Sequence, residues 1–120
     1  MRVTKELAIK LKEKRFDVPC DFYYGSKSDR ENYDQYWANS NHNDKDRRDA
    51  ISAPDLHTVT DWLREKGMHV CALPALSLPS GWDYVIIDLN ERKRLNVIGM
   101  PYDTHDLALL HGVTAAVEMV

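Results

Sequence analysis

Residues 52–73 constrain the fold more than any other stretch, because a capped helix, a stop signal and a strand follow one another there without a gap. Ser52 and Asp55 have the spacing of an acidic capping box, and Pro54 suits the first turn of a helix. The buried stripe of this helix is predicted from i, i+3, i+7 spacing as Leu56, Val59 and Leu63. A helix that begins after Ser52 is therefore expected.

Gly67 is the residue expected just after the end of that helix, since glycine readily adopts the left-handed conformation. The residues that follow, 68–73, alternate as a half-buried strand does. Residues 83–89 are almost continuously apolar, which is typical of a central strand. A polar turn separates them from 95–100. The simplest arrangement is a three-stranded antiparallel meander of 68–73, 83–89 and 95–100.

One helix is predicted at each end of the chain. Thr4 suits the N-cap of a first helix that runs to about Arg15, where Asp17-Val18-Pro19 prevents its continuation. Asp103 and Thr104 open a last helix that is apolar over most of its circumference. The fold class is therefore α+β, a single domain over 1–120 with the order helix, long loop, helix, three-stranded antiparallel meander, C-terminal helix (α-α-β-β-β-α).

Residues 25–50 are predicted to be a long polar loop, because they contain no Leu, Ile, Val, Met or Phe. Loops of this length are either functional or mobile. Three aromatic residues interrupt its polar character: Tyr33, Tyr36 and Trp37. They would either anchor one helical turn onto the core or form an exposed binding surface, and the sequence leaves both open.

The net charge of −3 and the two isolated cysteines exclude several classes of protein. A strongly basic nucleic-acid binder, a disulfide scaffold and a zinc knuckle are all disfavoured. The N-terminus carries no apolar signal segment and no apolar run is long enough to span a membrane, so a cytoplasmic protein without membrane contact is expected.

Two surfaces could nevertheless bind a partner. Lysines in the first helix could approach phosphate groups, which keeps nucleic-acid binding as an alternative function; these are Lys10, Lys12 and Lys14. A ridge of small residues in the last helix would allow close approach of a sheet or of a second copy of the chain. This ridge, Ala108, Gly112 and Ala116, predicts a possible homo-oligomer.

No catalytic motif with a specific mechanism is present, so an enzyme, a cofactor and a metal are not predicted. His57 and Asp61 share a helical face and could supply two metal ligands, but no third ligand is evident; His42 lies in the polar loop. A small metal-dependent enzyme is thus the least favoured alternative. Cys20, and Cys71 on the same strand face as His69, are expected to be core thiols rather than nucleophiles.

Several segments together resemble a family of small proteins of no assigned function, encoded by phages, prophages and mobile elements of Bacteroides-like bacteria. The matching segments are residues 4–13, Asp17-x-Pro19-Cys20, 52–54, 62–66, 69–70 and 102–104, with Ala108 and Gly112-x-x-x-Ala116. The chain departs from the family at Leu107, Leu109 and Leu110, where the last helix is usually charged. The resemblance implies a non-enzymatic accessory or interaction protein of phage or mobile-element origin.

Overall fold

The structure is a computed structural model that describes residues 1–25, 33–41, 43, 50–76, 78–96 and 101–120. Its elements are α1 (Lys5–Glu13), β1 (Cys20–Gly25), β2 (Tyr33–Ser40), β3 (Ala50–Ser52), α2 (Leu56–Glu65), β4 (Met68–Pro74), β5 (Trp82–Asp88), β6 (Lys93–Arg94) and α3 (His105–Met119). The predicted α+β class is confirmed. The chain divides into two compact units, an N-terminal unit, Arg2–Asp55, and a C-terminal unit, Leu56–Val120 together with Met1.

Helix α1 of the N-terminal unit begins as predicted and ends earlier than predicted. The Thr4 hydroxyl accepts a hydrogen bond from the amide of Leu7 at 3.2 Å, as an N-cap does. At the other end Arg15 adopts a left-handed conformation with φ 63°, and the amide of Phe16 donates to the carbonyl of Leu11 at 2.9 Å. The helix is therefore stopped by a left-handed residue before Pro19 is reached.

Part of the stretch predicted as a loop is a strand. The sheet of the N-terminal unit has the order β2-β1-β3 with both pairings antiparallel, so β2 lies inside the predicted 25–50 loop. The prediction failed because these strands carry aromatic and polar rather than aliphatic residues, and their pairing is non-local. The core of this unit includes Val3 and Tyr24, and the Tyr24 hydroxyl donates to the carbonyl of Val3 at 2.8 Å.

The predicted capping box at Ser52 is wrong. Ser52 is the last residue of β3, pairs with Tyr23 and is fully buried. Its amide donates to the side-chain oxygen of Asn43 at 2.8 Å, and its hydroxyl is hydrogen-bonded to Cys20. Helix α2 begins only at Leu56. The reason is that Ser52, which the local pattern assigned to a helix cap, is paired in a strand instead.

Helix α2 of the C-terminal unit buries the predicted stripe. Leu56, Val59 and Leu63 are each at most 2% exposed, and Trp62, which the stripe did not include, is 3% exposed. Gly67 follows the helix with φ 88° and accepts a hydrogen bond from the amide of Leu89 at 2.9 Å. The predicted glycine stop is confirmed, and it also fixes where β4 begins.

The predicted meander is present, with a third strand that is shorter and earlier than expected. β4 and β5 pair in antiparallel register from Met68↔Asp88 to Pro74↔Trp82, and β6 pairs with the end of β5. β6 comprises Lys93–Arg94, whereas the prediction placed the strand at 95–100. Of that range, 97–100 lie outside the described residues.

Among the described residues, both side chains and backbone groups close the outer edge of β5 beyond β6. The carboxamide of Asn96 accepts from the amide of Ile86 at 2.7 Å and donates to the carbonyl of Tyr84 at 3.0 Å. The carboxylate of Asp83 accepts from the amide of Tyr84 at 2.7 Å. At the start of β5, Trp82 and Tyr102 exchange two backbone hydrogen bonds of 2.8 and 2.7 Å. Unpaired strand edges invite non-specific pairing, and this edge is protected from it.

Helix α3 packs on the sheet through the ridge of small residues. Ala108, Gly112 and Ala116 are all buried, and a Cβ at Gly112 would lie 2.8 Å from the Cβ and Cγ atoms of Tyr84 on β5. Of the two possibilities that the sequence left open, close approach of a sheet is the one observed. The ridge is therefore covered within its own unit, and a homo-oligomer through Ala108, Gly112 and Ala116 stays a prediction.

Candidate protein-interaction surface

The loop between β4 and β5 presents exposed leucines. The amide of Ala75 donates to the carbonyl of Gly81 at 3.0 Å, and the amide of Leu78 donates to the carbonyl of Ala75 at 3.2 Å. These bonds close the base of the loop. Leu76 is 89% exposed and Leu78 is 47% exposed. Because exposed apolar patches on protein surfaces often mark interaction sites, these two leucines in one short loop make it a candidate contact site.

Gly81 allows this loop to lie close to the segment that precedes α3. Its φ of 106° is a conformation that other residues avoid. A Cβ at this position would lie 2.9 Å from the Cβ of Pro101. The loop and the Pro101–Tyr102 segment are therefore adjacent at one end of the C-terminal unit.

Several partly exposed aromatic rings lie between this loop and the start of α3. Trp82 contacts His105 edge to face, with ring centroids 5.2 Å apart and an interplanar angle of 83°. Tyr102 is stacked on His111 at 4.5 Å and 18°, and Tyr84 lies 6.2 Å from Tyr102. We call these five residues together with Leu76 and Leu78 the end surface.

The position of His105 is set by the start of α3. Thr104 is the N-cap, and its hydroxyl accepts from the amide of Leu107 at 3.1 Å. His105 is the first residue of the helix, and its Nδ1 lies 3.3 Å from a carboxylate oxygen of Asp106. The His105 and Asp106 side chains are 50% and 67% exposed. Such an open pair is suited to contact a partner and lacks the enclosed environment that a catalytic base usually has.

Burial raises the pKa of the Tyr84 hydroxyl, and its neighbours Tyr102 and Asp83 raise it further. Tyr84 therefore stays neutral well into the alkaline range and can act as a hydrogen-bond donor. A neutral phenol is the form that interfaces use, because it combines an apolar ring with a polar tip.

The aromatic site predicted from the sequence lies in β2 of the N-terminal unit. Tyr33, Tyr36 and Trp37 are residues of β2, and the structure describes their backbone but not their side chains. The strand rules out the single helical turn that was one of the two interpretations. His42 also lies outside the described residues.

Of the lysines predicted for nucleic-acid binding, Lys10 and Lys12 lie on α1 and Lys14 is its C-cap, and all three are partly buried. The ammonium group of Lys12 donates to the carbonyl of Ala50 at 2.9 Å, so this lysine joins α1 to β3. Lys10 and Lys14 also have interactions within the protein. Nucleic-acid binding through Lys10, Lys12 and Lys14 stays a prediction, and Lys12 has a structural role beside it.

The residues considered for metal binding or nucleophilic catalysis are dispersed. Asp61 forms an ion pair with Arg64, and in the part of the chain that is described no three His, Cys, Asp or Glu side chains are grouped to hold a metal ion. Both cysteines are free thiols. Burial raises the pKa of Cys20, whose thiol donates to the carbonyl of Phe22 at 3.2 Å, so at neutral pH it is protonated and a poor nucleophile.

The end surface could not be predicted from the sequence, because the surface depends on pairing between residues that are far apart in the chain. Trp82 and Tyr102 become neighbours only through the bridge between them. One local signal was available: two leucines at alternate positions in a proline-bounded connector, where polar residues are usual.

Comparison of the chain with protein-family models, with curated proteins and with solved structures found no match. In the described residues no helix has both the length and the apolar character needed to cross a membrane.

Proposed function

We propose that the protein is a non-enzymatic interaction protein that binds a protein partner through the end surface. The observation that carries the proposal is Leu76, which is 89% exposed in a loop that a backbone hydrogen bond ties to Gly81, the residue before the partly exposed Trp82. Binding hot spots are enriched in tryptophan and tyrosine, and surrounding contacts exclude water from them. In line with the sequence resemblance, the proposed setting is the cytoplasm of a bacterium that carries a phage or mobile element.

The test is a selection of peptides from a random library on the immobilised protein, followed by affinity measurement on variants. Leu76→Ser should weaken the selected peptides about 10-fold, as expected for loss of an apolar contact of about 1.4 kcal/mol. Trp82→Ala should weaken them about 30-fold, as expected for an anchor worth about 2 kcal/mol. Because Leu76 is almost fully exposed, its substitution leaves the fold unchanged.

Ile9→Ser is the matched control, since Ile9 is an exposed apolar residue of α1 at 40% exposure. It should leave every affinity within twofold. Peptides that bind wild type and Leu76→Ser equally would refute the proposal, as would selection of no binder. Light scattering on the free protein tests whether the partner is a second copy, in which case Leu76→Ser should shift the protein towards monomer.

A further inference from the structure

Most of the chain around the end surface lacks cationic residues, the exception being the turn at 92–94. Lysine and arginine are absent from residues 67–91 and from residues 95–120. Two carboxylates flank the aromatic rings at the start of α3: Asp103 and Asp106 are both exposed. The guanidinium of Arg94 donates to the carbonyl of Tyr84 at 3.4 Å, and its charge is balanced by the carboxylate of Asp83 at 3.9 Å. Asp103 and Asp106 therefore leave the side-chain charge beside Trp82 and Tyr102 negative, which disfavours a partner that presents phosphate or carboxylate groups.

Like the carboxylates, the aromatic rings favour a positively charged ligand. The face of an indole or phenol ring carries partial negative charge and attracts a cation within about 6 Å. Trp82 and Tyr102 are both partly exposed. His105 lies between the aromatic rings and the carboxylates. Its ring centroid is 5.2 Å from that of Trp82, and its Nδ1 is 3.3 Å from a carboxylate oxygen of Asp106.

The N-terminus of α3 acts in the opposite direction but is the weaker effect. A helix N-terminus is equivalent to about half a positive charge. Asp103 and Asp106 together contribute two negative charges at neutral pH. The balance is a net negative surface of roughly −1.5 at the start of the helix.

We propose that the partner of the end surface is a basic protein segment that combines an apolar side chain with lysine or arginine. The apolar side chain packs against Leu76 and Leu78. The cationic group lies over Trp82 or Tyr102 and pairs with Asp106. This inference rests on the proposed function, because it specifies the chemistry of the partner at the same surface.

Three synthetic peptides of equal length, alternating leucine with arginine, serine or glutamate, test the inference. Each is titrated into the isotopically labelled full-length chain while the Trp82 indole and Tyr102 amide signals are followed by nuclear magnetic resonance. The leucine–arginine peptide should bind at least 10-fold more tightly than the leucine–glutamate peptide. The double variant Asp103→Asn with Asp106→Asn should weaken the basic peptide about 5-fold, the effect of two exposed ion pairs of about 0.5 kcal/mol each.

Glu91→Gln is the control, because Glu91 is an exposed carboxylate on the β5–β6 turn that pairs with Lys93 at 2.8 Å. It should leave the affinity of the basic peptide unchanged. Equal or tighter binding of the acidic peptide would overturn the inference, as would an effect of Glu91→Gln as large as that of the double variant. The library selection separates the two proposals. If the selected peptides need Leu76 for binding but carry no lysine or arginine, the proposed protein binding is supported and the inference of a basic partner is refuted.

Discussion

Replacing Gly112 by alanine tests whether the small ridge exists for contact with the sheet. In an unconstrained helix interior this substitution is expected to stabilise by about 1 kcal/mol, because alanine has the higher helix propensity. At Gly112, however, the new methyl carbon would lie 2.8 Å from both Cβ and Cγ of Tyr84 and 3.0 Å from its Cδ1. Carbon atoms in contact normally lie about 3.5–4.0 Å apart.

The contact cannot be relieved by a small side-chain movement, since the Cβ of Tyr84 is fixed to the backbone of β5. Relief requires helix and strand to separate by roughly 1 Å, and overpacking of this kind costs about 1–3 kcal/mol. Overpacking therefore outweighs propensity, and we expect Gly112→Ala to lower the free energy of unfolding by about 1 kcal/mol or more.

Urea denaturation followed by circular dichroism and by tryptophan fluorescence measures this change, since Trp62 and Trp82 both belong to the C-terminal unit. Ala115→Gly on the same helix is the matched control and should also destabilise, by about 1 kcal/mol through propensity alone. In a Tyr84→Ala background, which removes Cγ and the ring, Gly112→Ala should cost less, with a coupling of about 1 kcal/mol. A variant Gly112→Ala that is more stable than wild type by about 1 kcal/mol would refute the reasoning.

Three further predictions concern single side chains. Asn96→Ala should lower the free energy of unfolding by about 1–3 kcal/mol in urea denaturation, because the buried amide of Ile86 loses its acceptor; an unchanged midpoint would contradict this. Arg15→Gly should raise thermal stability by about 0.5–1 kcal/mol, because glycine adopts φ 63° without strain; a lower melting temperature would argue against it. The raised pKa of Cys20 predicts stability that is complete below the pKa of the unfolded thiol and is lost as the pH rises above it, whereas Cys20→Ala should lack this alkaline loss.

Local patterns in the sequence predicted the helices and the glycine stop well. Leu56, Val59 and Leu63 are buried because their spacing alone determines one helical face, and Gly67 has the conformation that only glycine adopts easily. Such features depend on residues a few positions apart, so a sequence is sufficient to predict them.

Features that depend on distant residues could not be predicted in this way. Ser52 has the local signature of a helix cap, but its pairing with Tyr23 places it in a strand. The small ridge around Gly112 is compatible with close approach of a sheet or of a second copy of the chain, and its contact with a sheet is seen only from the position of Tyr84. The end surface likewise requires the pairing of Trp82 with Tyr102, which lie twenty positions apart.

Asn96 makes the sheet sensitive to chemical ageing. Its carboxamide imitates a peptide group, accepting from Ile86 and donating to Tyr84. Spontaneous deamidation would convert it into a carboxylate, which keeps the acceptor but replaces the donor with a negative charge facing the carbonyl of Tyr84. The carbonyl of Tyr84 would then depend on the 3.4 Å hydrogen bond from Arg94. This weakens the side-chain closure of the sheet edge, and exposed edges promote aggregation. Old preparations of the protein should therefore accumulate aggregates enriched in the deamidated form.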